Sequence, residues 1–150
     1  MNFLPSIADV PHLWSQDGSL RDVYFVNTTL AHWERFLAFV RNSTNQYSFD
    51  GEEADLPPIE EIFANREGRH ILTVATSGVA IACHFFIPEE IELDIDPREI
   101  HGEDQHEAVL EFLASLSLAI GRPALLTPEN GLDLPFLSFE PNLHTWTVHG

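Results

Sequence analysis

Residues 90–96 alternate strictly between acidic and apolar side chains, and this period of two constrains the fold more than any other stretch. The apolar residues are at positions 91, 93 and 95, and the acidic residues Glu92, Asp94 and Asp96 each follow one of them. Successive side chains of a β-strand point to opposite faces, so this pattern predicts a strand with one buried and one polar face. A sheet built around such a strand has helices on one side only.

Three amphipathic segments predict the helices of that layer. Apolar residues recur at steps of three or four over residues 30–40, 59–63 and 104–120, which places them on one helical face. Asp104 with Glu107 three residues later predicts the start of the longest helix as a capping box. Gly121 and Pro123 predict its end, because Gly suits the left-handed position after a helix and Pro cannot continue it.

Short runs of β-branched and aromatic residues predict the other strands. They cover residues 20–26, 47–49, 70–76, 79–87, 124–127 and 136–139, with a charged turn over residues 50–53. We predict an ordered arm over residues 1–19, and a tail over residues 144–150 that is either an edge strand or disordered. The chain is then a single α+β domain over residues 1–150, a two-layer sandwich whose mixed, mostly antiparallel sheet has about three helices packed on one face.

The charge of the chain indicates the class of its partner. There are 24 acidic residues against seven arginines and no lysine, a formal net charge of -17 at pH 7. This charge repels nucleic acid and anionic membranes, and it attracts a basic protein. No apolar run is long enough to span a bilayer, and the first residues have neither the basic nor the apolar region of a signal peptide, so we expect a cytoplasmic location.

The acidic residues around the alternating strand are the predicted partner-binding site: Glu89, Glu90, Glu92, Asp94 and Asp96. Carboxylates at alternate positions of one strand lie about 6.5–7 Å apart, a spacing suited to imitating phosphates along a nucleic acid strand. Two other interpretations stay open, a solvated outer face and a metal or catalytic site. A metal site is disfavoured because side chains along an extended strand do not converge on one ion.

Histidine, cysteine and serine positions match no known catalytic or metal-binding pattern. The eight histidines lack the spacing of a zinc site. Cys83 and His84 are neighbours in a predicted strand and therefore face opposite ways, which is a poor geometry for a nucleophile and its base. We predict no catalytic residue, no metal and no cofactor, a buried Cys83 thiol, and His84 in the core or an interface.

Three segments carry a resemblance to known proteins: IELDIDPREI at 91–100, LAIGRP at 118–123 and LTPEN at 126–130. With the amphipathic helix between the first two, residues 85–140 resemble small bacterial immunity proteins of polymorphic-toxin systems. The resemblance implies a non-enzymatic cytoplasmic protein that binds and blocks a cognate toxin. It carries over no individual functional residue.

We therefore expect an acidic, non-enzymatic binding protein, an immunity-type inhibitor of a basic toxin. Toxins that act on nucleic acid are basic where they bind phosphate, so an acidic inhibitor is their electrostatic complement. Two alternatives remain. One is a small hydrolase or metal-dependent enzyme that uses the carboxylates with His84 or His101, and the other is a structural or regulatory subunit of a homo-oligomer.

Overall fold

A computed structural model describes residues 3–149 of the chain. They form one nine-stranded sheet with three α-helices packed on one face, which confirms the predicted α+β class. All strand pairings within this range are antiparallel, so the sheet is not mixed. No helix in the described range combines the length and the hydropathy that crossing a membrane requires.

Two neighbouring strands lie at the centre of the nine-stranded sheet. The strands are β1 (Arg21–Val26), β2 (Asn45–Phe49), β3 (Glu52–Ala54), β4 (His70–Thr76), β5 (Val79–Ile87), β6 (Glu90–Ile95), β7 (Ala124–Pro128), β8 (Leu137–Glu140) and β9 (Thr145–Val148). The helices are α1 (Leu30–Val40), α2 (Ile59–Ala64) and α3 (Glu103–Ile120). The strand order is β3-β2-β4-β5-β6-β1-β7-β8-β9, so β6 and β1 lie side by side with at least three strands beyond each.

The core lies between the sheet and the helices. The apolar side of β6 is fully buried there, since Ile91, Leu93 and Ile95 are each at most 1 % exposed. Trp33 of α1 stacks on Phe85 of β5 with 5.2 Å between ring centroids. Each large apolar side chain buried in this way stabilises the fold by roughly 1.5–3 kcal/mol.

Residues 3–19 pack against the helix layer through buried polar contacts. The indole Nε1 of Trp14 donates to Nδ1 of His106 on α3 at 2.9 Å, and His106 Nε2 donates to the Pro5 carbonyl at 2.7 Å. The buried Arg21 guanidinium donates to the carbonyls of Leu13 and Ser15. These bonds tie the first segment of the chain to both α3 and β1.

Several local predictions differ from the structure. α3 begins at Glu103 with Gly102 as its N-cap, so Asp104 lies in the first helical turn and does not cap the helix. A carboxylate in that turn still benefits from the positive end of the helix dipole. Glu52 and Glu53, expected in a charged turn over residues 50–53, belong to the edge strand β3 (Glu52–Ala54). In the tail, residues 145–148 form the opposite edge strand, and Gly150 lies outside the described residues.

Candidate functional site

The helix-free face of the sheet carries ionisable side chains at its centre, and we call this cluster the acidic face. It consists of Asp22 and Tyr24 from β1, His84 from β5, and Glu90, Glu92 and Asp94 from β6. The strand register brings them together, because Tyr24 and His84 both pair with Glu92, and Asp22 pairs with Asp94. Their immediate neighbours along each strand are buried on the helix side, as side-chain alternation requires.

His84 and Asp94 form an ion pair on this face. Nε2 of His84 lies 2.7 Å from Oδ2 of Asp94, and the side chains are 20 % and 23 % exposed. The hydrogen bond to Asp94 raises the pKa of His84 above its usual value, against the opposing effect of burial. The Phe86 ring stacks on the His84 ring at a centroid distance of 5.4 Å, and the β5–β6 register shifts between His84 and Ile87. Such irregularities re-aim side chains at functional sites.

Asp22 is buried although it lies on the helix-free face. Its Oδ2 accepts hydrogen bonds from the Tyr24 hydroxyl at 3.0 Å and from the Asn130 backbone N–H at 2.7 Å. Burial raises the pKa of Asp22, and the nearby Asp94 charge adds to the increase. Burial and the adjacent carboxylates also raise the pKa of Tyr24. The loop after β7 therefore reaches one end of the acidic face through Asn130.

Glu90 and Glu92 form no ion pair inside the described part of the chain, although the Tyr24 hydroxyl and the His84 charge partly offset the burial of Glu92. The ion pairs between residues 3 and 149 involve Asp17, Asp94 and Asp96, and neither of these glutamates. Burial raises the pKa of Glu90, and burial together with the Asp22 and Glu90 charges raises the pKa of Glu92. A cation brought to these carboxylates would therefore stabilise their ionised form.

The structure brings together three of the five predicted partner-binding residues. Glu90, Glu92 and Asp94 share the acidic face, while Glu89 is exposed in the turn before β6, where its carbonyl accepts the Thr28 N–H at 3.0 Å. Asp96 lies apart from them. It caps the short 3-10 helix Pro97–Glu99, and its Oδ2 lies 2.7 Å from Nη2 of Arg98. The alternating pattern thus runs one residue past the end of the strand.

Asp22 was missed by the sequence reasoning, although one signal marked it. Aspartate is depleted in strands, and Asp22 stands directly before the run of β-branched and aromatic residues at 23–26. An acid at such a position indicates a polar environment on one face of the strand. The contact of Asp22 with Asn130 depends on the position of a distant loop, which no local pattern encodes.

The other candidate groups do not join the acidic face. Cys83 is buried on the helix side, and burial raises the pKa of its thiol well above the usual value. His101 lies in the loop before α3. Within residues 3–149, no group of three or more His, Cys, Asp or Glu side chains is arranged to hold a metal ion.

Comparison with protein-family models, with curated proteins and with solved structures gives no match for this chain.

Proposed function

We propose that this protein is a non-enzymatic binding protein that uses its acidic face to hold a basic protein. The observation that carries the proposal is the pair of partly buried carboxylates, Glu90 and Glu92, which form no ion pair within residues 3–149 and whose burial is offset only at Glu92, by the Tyr24 hydroxyl and the His84 charge. A partner arginine or lysine would replace water at these groups and reverse the penalty that burial imposes on their charge. The net charge of -17 adds long-range attraction for the same partner.

An immunity-type inhibitor is the specific form of this proposal. The partner is then a cytoplasmic toxin whose basic surface binds nucleic acid, and the acidic face occupies the positions that phosphates would take. The helix-free side of the sheet supports this form because no helix stands between these carboxylates and an approaching protein. The exposed Phe86 and Ile87 beside the cluster offer apolar contact area at its border.

The test is a binding measurement with the product of the neighbouring gene. The two purified proteins are mixed, and the dissociation constant is measured at low and at high salt. The double variant Glu90→Gln/Glu92→Gln should weaken the complex by about tenfold or more and flatten its salt dependence. Its matched control is Glu107→Gln/Glu111→Gln, which removes the same charge from exposed positions of α3 on the other side of the sheet.

Equal losses of affinity in the two double variants would mean that binding depends only on the overall charge of the protein. The acidic face would then not be the binding site. A dissociation constant that is the same at low and at high salt would contradict the electrostatic basis of the proposal. Inhibition is a separate readout. Co-expression with the wild-type protein should abolish the toxicity of the partner, and co-expression with the Glu90/Glu92 double variant should restore part of it.

A second candidate function, a small hydrolase, is favoured by the pairing of His84 with Asp94. Such an enzyme would have to activate water, because the Cys83 thiol faces the core. Its test is turnover of p-nitrophenyl acetate and p-nitrophenyl phosphate. Turnover that His84→Gln abolishes would favour the hydrolase, whereas equal background rates for both proteins would remove it.

A further inference from the structure

Arg69 has the one guanidinium in this chain that makes no hydrogen bond or ion pair with residues 3–149. The other six arginines are bound within the fold. Their partners are backbone carbonyls for Arg21, Arg35, Arg41, Arg66 and Arg122, and the Asp96 carboxylate for Arg98. What distinguishes Arg69 is that its guanidinium N–H groups have neither a carbonyl nor a carboxylate acceptor within residues 3–149, so all of them are available to a ligand.

Arg69 lines a concavity of about 540 Å³ at the border of the acidic face. Arg66 and His84 line the same concavity, together with the nitrogen-bearing side chains of Asn65 and His70. Nη1 of Arg66 donates to the Phe86 carbonyl at 2.7 Å, which fixes the guanidinium beside the concavity and leaves its other N–H groups available. Nε2 of His84 is occupied by Asp94, and its ring is held in place by the Phe86 ring.

Two acidic residues, Asp50 and Glu67, also line this concavity. One oxygen of Asp50 accepts the backbone N–H of Arg69 at 2.7 Å, so this carboxylate is partly satisfied within the fold. Glu67 is exposed to solvent, as are Arg66 and Arg69, so water screens the charges of all three. Asp94 lies at the border of the concavity, where its carboxylate is paired with His84 at 2.7 Å. The two guanidiniums are therefore the groups of the concavity that keep charged N–H donors available to an anion.

We propose that the concavity formed by Arg66, Arg69 and His84 binds an oxyanion, a phosphate or a carboxylate group. Planar guanidinium groups donate paired hydrogen bonds in the geometry that such anions accept. This site is distinct from the carboxylates of the acidic face, and it stands whether or not they bind a basic protein. Together the two sites make the helix-free surface bipolar, with an anion-binding concavity next to a cation-binding strand.

The experiment titrates the protein with inorganic phosphate and, separately, with citrate, at constant ionic strength set with sodium chloride. NMR signals of the arginine Nε–H groups and of the His84 ring report binding. The wild-type protein should give saturating shifts at Arg69 and His84, and Arg69→Gln should weaken that binding by about tenfold. Saturation by phosphate alone assigns a phosphate ligand, and saturation by citrate alone assigns a carboxylate.

Two control variants test whether anion binding depends specifically on the concavity. Arg98→Gln removes an exposed guanidinium elsewhere on the surface, next to Asp96, and should leave the titration unchanged. Glu90→Gln/Glu92→Gln should also preserve it, which separates this site from the proposed protein-binding function. Shifts that rise linearly without saturating, or that are equal in the wild type and in Arg69→Gln, would overturn the proposal.

Discussion

Nε2 of His84 and Oδ2 of Asp94 lie 2.7 Å apart across two neighbouring strands, β5 and β6. Each side chain is only about one-fifth exposed, so solvent screens their attraction less than it screens a surface ion pair. The pair raises the pKa of His84 in the folded protein. The folded state therefore binds this proton more tightly than the unfolded chain, and stability becomes linked to pH.

Replacing His84 by Gln should reduce stability most at low pH. The contribution of the charged histidine is complete below its unfolded pKa of about 6.5 and is lost as the pH rises through the higher folded pKa. In urea denaturation, the difference in unfolding free energy between the wild type and His84→Gln should be larger at pH about 5.5 than at pH about 8.5. The exposed His12→Gln serves as the control. A difference that is constant with pH would contradict the pairing.

Asp22 should tolerate asparagine far better than alanine. Alanine removes the acceptor of the Asn130 N–H and of the Tyr24 hydroxyl, which should lower the unfolding free energy by about 1–3 kcal/mol. Asparagine keeps an acceptor oxygen and removes the repulsion from Asp94, so at pH 7 its effect should be neutral or stabilising. Chemical denaturation of both variants measures this order, and the reverse order would show that the charge of Asp22 itself stabilises the fold.

His106→Leu should destabilise the protein by roughly 2–4 kcal/mol, because it leaves the Trp14 indole N–H and the Pro5 carbonyl without partners in the core. The same change should loosen residues 3–19, so limited proteolysis should cleave this arm faster than in the wild type. His12→Gln, within the arm but exposed, should alter neither readout. Unchanged cleavage in His106→Leu would mean that other contacts hold the arm.

Gly68→Ala should cost about 1–3 kcal/mol, because the added Cβ would overlap the Phe49 ring. The cause is steric, so a smaller residue at position 49 should relieve it. We expect the double variant Gly68→Ala/Phe49→Leu to lose less stability than the sum of the two single variants. Strict additivity in this double-mutant cycle would indicate that the ring does not oppose the added methyl group.

Sequence periodicity was sufficient to predict the strands and helices that bury one of their faces. The alternating pattern that ends at Ile95 corresponds to β6, and the three- and four-residue repeat corresponds to α3. Both patterns arise because the apolar side chains of each element are buried on one face. Periodicity alone did not locate the strand end. It placed Asp96 with Glu92 and Asp94, whereas Pro97 ends the strand and Asp96 turns to cap the next segment.

The parts that sequence reasoning missed depend on contacts between distant residues. β3 is fully exposed and has no apolar side to reveal it, so only its pairing with β2 makes it a strand. His84 was placed in the core or an interface without a named partner. Its pairing with Asp94 depends on the register of β5 against β6, in which His84 stands opposite Glu92 and reaches Asp94 diagonally.

The strand order also fixes when the sheet can be completed during synthesis. β1 comes first among the strands of the described residues, yet its two neighbours are β6 and β7, from much later in the chain. Until those segments emerge, Val23 and Phe25 lack both flanking strands and remain open to non-native contacts. Pairing over such long sequence separations slows folding. A nascent chain that ends before residue 90 should therefore depend on chaperones, whereas one that includes β7 should begin to protect its own central strand.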